Sequence, residues 1–193
     1  MNRRTDTHVE ITALALLLLV LAFLLTWVLV PALYGLPSVP TKHARIRAAL
    51  RLADLKAGEA FADLGAGDGR TLVIAAREFG ANATGIEIGP AQCLVCGVNA
   101  WRGGIRSKVR VKRGNFYKAD LREMDVVFVY ATSRELSRLE SHLQSQLRPG
   151  ARVITVGSNF PNWEATKTDR ENLLFLYVMP QYGRTVEQDG APA

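Results

Sequence analysis

The stretch FADLGAGDGR, residues 61–70, concentrates side chains that can handle a small ligand. Gly65, Gly67 and Gly69 fall where an apolar run ends, and glycine lets the backbone take positive φ and approach a ligand closely. The spacing G-x-G-x-G differs from the G-x-G-x-x-G of a dinucleotide site, whose helix N-terminus holds a pyrophosphate. Asp63 precedes the turn and Asp68 lies inside it. Two carboxylates are poor company for a pyrophosphate but suit a ligand with a cationic end, such as the amino group and sulfonium of S-adenosylmethionine. Glu87 follows in ATGIEIGP, 24 residues after Asp63, where a carboxylate accepts hydrogen bonds from both hydroxyls of a ribose. Gly114-Asn115-Phe116 offers an amide and a ring to adenine. Singly, the turn also reads as a tight strand-to-helix connection and Glu87 as a solvated strand end. At the ends of three successive strands, they describe one nucleoside site.

Positioning these groups takes an alternation of strands and helices. Residues 60–64, 84–88, 109–112, 126–130, 151–156 and 173–178 read as strands; 71–79, 91–101 and 133–147 carry apolar residues at helical spacing. Thr41 is expected to cap a further helix with Ile46, Ala49, Leu50 and Ala53 on one face, and Thr132 with Glu135 to form a capping box. The alternation predicts an α/β, Rossmann-like parallel sheet with helices on both faces, its ligand crevice at the glycine turn. The expected domain is 41–179, about 140 residues and one core, followed by a disordered 180–193 tail.

Ahead of it, residues 11–30 form a 20-residue run whose polar members are Thr12 and Thr26. At ~1.5 Å per residue the run is roughly 30 Å long, the thickness of a bilayer core. It exceeds the ~7 to 15 residues of a signal-peptide apolar region, so 1–34 reads as an uncleaved segment with one transmembrane helix. Trp27 and Tyr34 sit where an interfacial belt wants them. Pro31, Pro37 and Pro40 predict a stiff, extended connection, with 35–40 as a Pro-rich linker. Lys42, Arg45, Arg47 and Arg51 after the span outweigh Arg3 and Arg4 before it, which places the domain on the cytoplasmic side of a single-pass protein.

The formal charge is +6, and three His and two Cys exclude a disulfide-stapled scaffold and leave few soft metal ligands. Cys93 and Cys96 lack the second pair that zinc needs and share a small-residue helix stripe with Gly97 and Ala100, which predicts packing. His43 and His142 read as surface histidines. Seven basic residues and no acid lie between Arg102 and Lys118, either a solvated strand edge or a contact with anionic lipid or nucleic acid.

The segments VPT (39–41), DLGAGDGR (63–70), GIEI (85–88), GNFYKADL (114–121), LRPGARVI (147–154) and FPNW (160–163) resemble small seven-strand, class I S-adenosylmethionine-dependent protein-lysine methyltransferases. That group includes the archaeal lysine methyltransferases and the mitochondrial enzymes acting on the adenine nucleotide translocase and the ATP synthase c-subunit. The resemblance covers residues 39–179. It implies S-adenosyl-L-methionine as cofactor, held by Asp63, Gly65, Gly67 and Glu87. Asn115 and Phe116 would border the adenine and the channel to the methyl group, and Thr41 would close the pocket. Tyr130 is a further channel candidate, but VVFVYATS departs from the more apolar segment expected after the fourth strand. Phe116, Tyr117 and Tyr130 are candidate aromatic walls for a lysine ammonium. The expected substrate is a membrane-associated protein. The alternatives are methylation of a lipid or other small molecule, and a non-catalytic membrane protein that keeps the fold. Tyr130-Ala131-Thr132-Ser133 lacks the Asn/Asp-Pro-Pro-aromatic element of amino-DNA methyltransferases, which argues against nucleic acid.

Overall fold

A computed structural model describes residues 3–33 and 41–180. Tyr34, the linker 35–40 and, beyond Pro180, the tail expected at 180–193 lie outside the described residues.

Seven strands form one sheet in the order β3-β2-β1-β4-β5-β7-β6. They are β1 Ala60–Leu64, β2 Asn82–Glu87, β3 Val109–Arg113, β4 Val126–Val129, β5 Arg152–Val156, β6 Lys167–Asp169 and β7 Leu174–Val178. The pairings among β1 to β5 are parallel, whereas β7 runs antiparallel to both β5 and β6, so the wholly parallel sheet expected from the sequence is corrected. A parallel neighbour needs a long crossover, and no helix separates β5 from β7. β6 is three polar-leaning residues, too short to show an alternation.

β1 lies mid-sheet, and the chain leaves it to β2 on one side and reaches β4 on the other. The strand ends are in register there, with Asp63 beside both Gly85 and Phe128, so the ligand crevice of an open sheet falls at the end of β1.

Helices cover both faces. α2 His43–Leu52, α3 Arg70–Glu78 and α4 Pro90–Arg102 bury Ile46, Leu50, Leu72, Ala75 and Cys96 in one core. α5 Ser133–Gln146 buries Leu136, Leu139 and Leu143 in the other, and each such leucine is worth roughly 1.5–3 kcal/mol. Thr132 caps α5 and accepts from the Glu135 amide, as the capping box predicts. Thr41 does not cap α2: the N-cap is Lys42, one residue later, without a side-chain hydrogen bond. The FPNW segment is part of the second core. Phe160 and Trp163 stack at 4.2 Å, and the Phe160 amide donates to the Tyr177 hydroxyl at 3.0 Å.

The apolar N-terminal run is helical throughout α1, Arg3–Leu33, with a mean hydropathy of 2.7 over Glu10–Leu29. It is long and apolar enough to cross a membrane, and from Ile11 to Leu25 its side chains are exposed. Pro31 therefore belongs to the last helical turn and not to an extended linker. Because proline carries no N–H, the Trp27 carbonyl four residues earlier loses its helical donor. Gln92 replaces that donor: fully buried in the first turn of α4, it donates its Nε2 hydrogen to the carbonyl at 2.7 Å.

α3 and α4 meet with no spare room. Gly69 caps α3 at φ 79°, and a Cβ there would come within 2.3 Å of the Cys96 sulfur. Gly69→Ala is expected to lower unfolding stability by about 2–4 kcal/mol, from positive-φ strain plus overpacking. Adding Cys96→Ala should recover the overpacking part alone, as denaturant titration would show.

Candidate active site

Glu87 ends β2 and is 6% exposed. One carboxylate oxygen accepts from the Gly67 amide and the other from the Gly89 amide, both at 2.8 Å. Its main-chain carbonyl accepts from the Gly114 amide at 2.9 Å and from the Cys93 thiol. One residue thus ties together the glycine turn after β1, the turn into α4 and the end of β3. The three strand ends singled out from the sequence are brought into one place. The two Gly amides were not foreseen as partners, because no side-chain pattern marks a main-chain donor. A carboxylate has about four lone-pair sites, so each oxygen keeps accepting capacity for a sugar hydroxyl.

Gly67 donates from the left-handed region, φ 56°, where a side chain would be strained. No atom lies within 4 Å of where a Gly65 Cβ would stand, so the turn opens onto free space. Together with the carboxylates, that cradle fits a nucleoside with a cationic appendage.

Asp63, one residue before the end of β1, is 3% exposed, and no salt bridge reaches it among the described residues. Burial pushes its carboxyl up to about 7; a hydrogen bond from Thr71 opposes the rise, and the charges of Glu87 and Asp68 add to it. A carboxylate so placed is waiting for a cation. Thr71, in the first turn of α3, escaped the sequence reading. Asp68 has a different fate from the one its position implied: Arg70 engages both its oxygens, at 2.6 Å for the closest contact, and holds its carboxyl below the usual range despite burial. Asp68 is therefore neutralised locally, whereas Asp63 has no cationic partner among the described residues. Arg70 also donates to the Thr41 carbonyl at 3.2 Å, which brings the chain before α2 against the glycine turn.

Asn115 follows β3 and accepts from the Tyr117 amide at 2.9 Å, capping a short 3-10 turn over Phe116–Lys118. Phe116 is 7% exposed and sits 4.6 Å from the Tyr117 ring. The Arg138 guanidinium lies 4.8 Å over the Tyr117 ring, so the ring already faces a cation. Tyr117 is thus withdrawn as a wall for a substrate ammonium. Tyr130 projects just past β4 at 38% exposure, its ring 3.2 Å from where a Gly157 Cβ would be. A cavity of about 280 Å³ opens beside Asn115, floored by Ala62, Thr84 and Ile86 and rimmed by Lys112, Arg113 and Lys118.

Of the expected small-residue stripe, Cys96 and Ala100 pack into the core, whereas Cys93 is half-buried and Gly97 is exposed. Cys96 is 1% exposed, its thiol pushed up to about 12 chiefly by burial, and the described residues contain no metal-binding cluster. His142 is not a surface residue, contrary to expectation: half-buried, it bonds the Ala119 carbonyl at 3.1 Å and fixes α5 to the chain after the 3-10 turn.

Comparison with known proteins agrees with this geometry. Residues 63–167 match the ANTKMT methyltransferase domain. The chain is 29% identical over 153 residues to a protein-lysine N-methyltransferase of Saccharolobus islandicus, covering 76% of this chain and 95% of that protein. It is 31% identical to the adenine nucleotide translocase lysine N-methyltransferase of Mus musculus, covering 84% and 72%. For the Xenopus laevis lysine N-methyltransferase of the ATP synthase c-subunit the identity is 31%, over 66% of this chain and 56% of that one. Among solved structures, an RNA methyltransferase from Salinibacter ruber in complex with S-adenosyl-L-homocysteine superposes with a TM-score of 0.72 at 32% identity, covering 75% and 95%. The chain belongs to the ANTKMT methyltransferase family and is an S-adenosylmethionine-dependent methyltransferase.

Proposed function

We propose that the methyl acceptor is a lysine ε-amine of a membrane-associated protein, reached by a cytoplasmic-side domain that α1 anchors to the same bilayer. The names of the relatives support the lysine. The Trp27–Gln92 hydrogen bond supports the membrane: it joins the distal end of the apolar helix to the first turn of α4, beside the rim that carries Glu87.

In this reading Asp63, Gly65, Gly67 and Glu87 hold the cofactor: Asp63 meets its cationic end, the glycines let it approach, and Glu87 takes the ribose hydroxyls. Asn115 and Phe116 border the adenine, and Thr41 stands at the pocket edge through its link to Arg70. When bound, S-adenosylmethionine would supply a methyl activated by its sulfonium, open to attack by an unprotonated amine. A free lysine has a pKa near ~10.4, and an apolar channel beside a cation lowers it by desolvation and like charge. Phe116 and Tyr130 line that approach. In this reading Asp63 and Glu87 are both committed to the cofactor, so the lysine proton passes to water and positioning carries the rate.

Membranes incubated with radiolabelled methyl donor should carry label in a protein band, lost with Glu87→Ala. Label in the lipid extract or in RNA would replace the lysine assignment.

Asp63 sets a pH dependence. Its folded pKa, about 7, exceeds the ordinary 3.8, so holding the charge costs stability as pH rises through that interval. A cationic ligand favours the charged form. Binding below pH 7 should therefore release up to one proton, and affinity should climb toward neutrality, as calorimetry in buffers of different ionisation enthalpy would show. Asp63→Asn should fold at least as stably at pH 8, bind about 10- to 100-fold more weakly through loss of one charged contact, and lose the proton release.

A further inference from the structure

α4 presents an apolar stripe that the fold leaves uncovered. Leu94, Val98 and Trp101, spaced to share one helical face, are 62%, 42% and 67% exposed. Soluble surfaces scatter large apolar residues singly, and three aligned on one helix mark a docking face. Positive charge gathers at the same end of the domain. Arg102 closes α4, Arg106 lies in the connection that follows, and Arg110 is on the edge strand β3 against which α4 packs. All three are exposed, and none makes a salt bridge among the described residues. An apolar stripe bordered by unpaired arginines is the pattern of a helix lying in the interface of an anionic bilayer. The same helix holds α1 at its first turn through Gln92 and Trp27, where the apolar span ends. The stripe and the point where the anchor meets the domain therefore lie on one helix.

We propose that α4 is a second membrane contact: Leu94, Val98 and Trp101 enter the headgroup boundary of an anionic bilayer while Arg102, Arg106 and Arg110 meet its phosphates. This rests on the reading of α1 as a membrane span. With α4 flat on the surface, the sheet runs along the membrane and the crevice opens sideways over it. The acceptor lysine then comes from a segment at headgroup height, not from a chain reaching far into solution.

The three tryptophans separate the two claims. Trp163 is 5% exposed in the core and gives a constant background. The full chain is reconstituted in phosphatidylcholine vesicles with or without phosphatidylglycerol, with acyl chains brominated near the headgroup. In a Trp27→Phe variant, Trp101 emission should shift to the blue and fall roughly twofold in the anionic vesicles, as expected of an interfacial ring. The loss should be smaller without phosphatidylglycerol, in high salt, or with Arg102→Glu and Arg106→Glu. In Trp101→Phe, Trp27 should be quenched whatever the headgroup. Quenching of Trp27 without Trp101 would overturn the α4 contact and leave the anchor standing. Failure to quench Trp27 would overturn the anchor, and the α4 contact with it. A blue-shifted but unquenched Trp101 would assign the stripe to a protein partner or a second copy and overturn the lipid contact.

Discussion

The site depends on how Glu87 is spent. Its two carboxylate oxygens hold the Gly67 and Gly89 amides, and its carbonyl holds Gly114, so one residue sets the distances between three loops that are far apart in sequence. Hydrogen bonds to a charged acceptor are worth about 1.5–3 kcal/mol each, enough to keep these loops in one arrangement before any ligand arrives. Preorganisation of this kind matters for methyl transfer, where the chemistry is the cofactor's and the protein supplies placement. It also explains why β2 must end at Glu87: one residue of slip would turn the carboxylate to the other face of the sheet.

Asp63 is the counterweight. A buried carboxyl without a cation is destabilising, and Arg70 does not relieve it because Asp68 has claimed the guanidinium. Near the end of its central strand the fold leaves the Asp63 carboxyl without a cation, and it answers the Asp68 charge locally. That difference between neighbouring aspartates separates a ligand group from a turn-stabilising one.

Most of the sheet and the five described helices could be read from the sequence, because apolar period and glycine punctuation are local. Where the reading stopped, the cause was non-local. β6 has three residues and no pattern, and the direction of β7 is decided by what lies between it and β5. Asp68 and Tyr117 looked available because their partners, Arg70 and Arg138, act through side-chain geometry that spacing does not reveal. Asp63, Gly65, Gly67, Glu87 and Asn115 were legible as a group since strand ends in a doubly wound sheet share one rim. Gln92 was not, although a clue existed: Pro31 leaves the Trp27 carbonyl wanting a donor, and only the fold shows which side chain answers.

That joint between proline and glutamine has a kinetic meaning. If α1 is the anchor proposed above, the catalytic rim would be held at the root of its tether, and search would collapse from three dimensions to lateral diffusion in a plane. Local concentration of any co-resident target rises without a single specific contact to it. Selectivity would then be an address, set by depth and proximity.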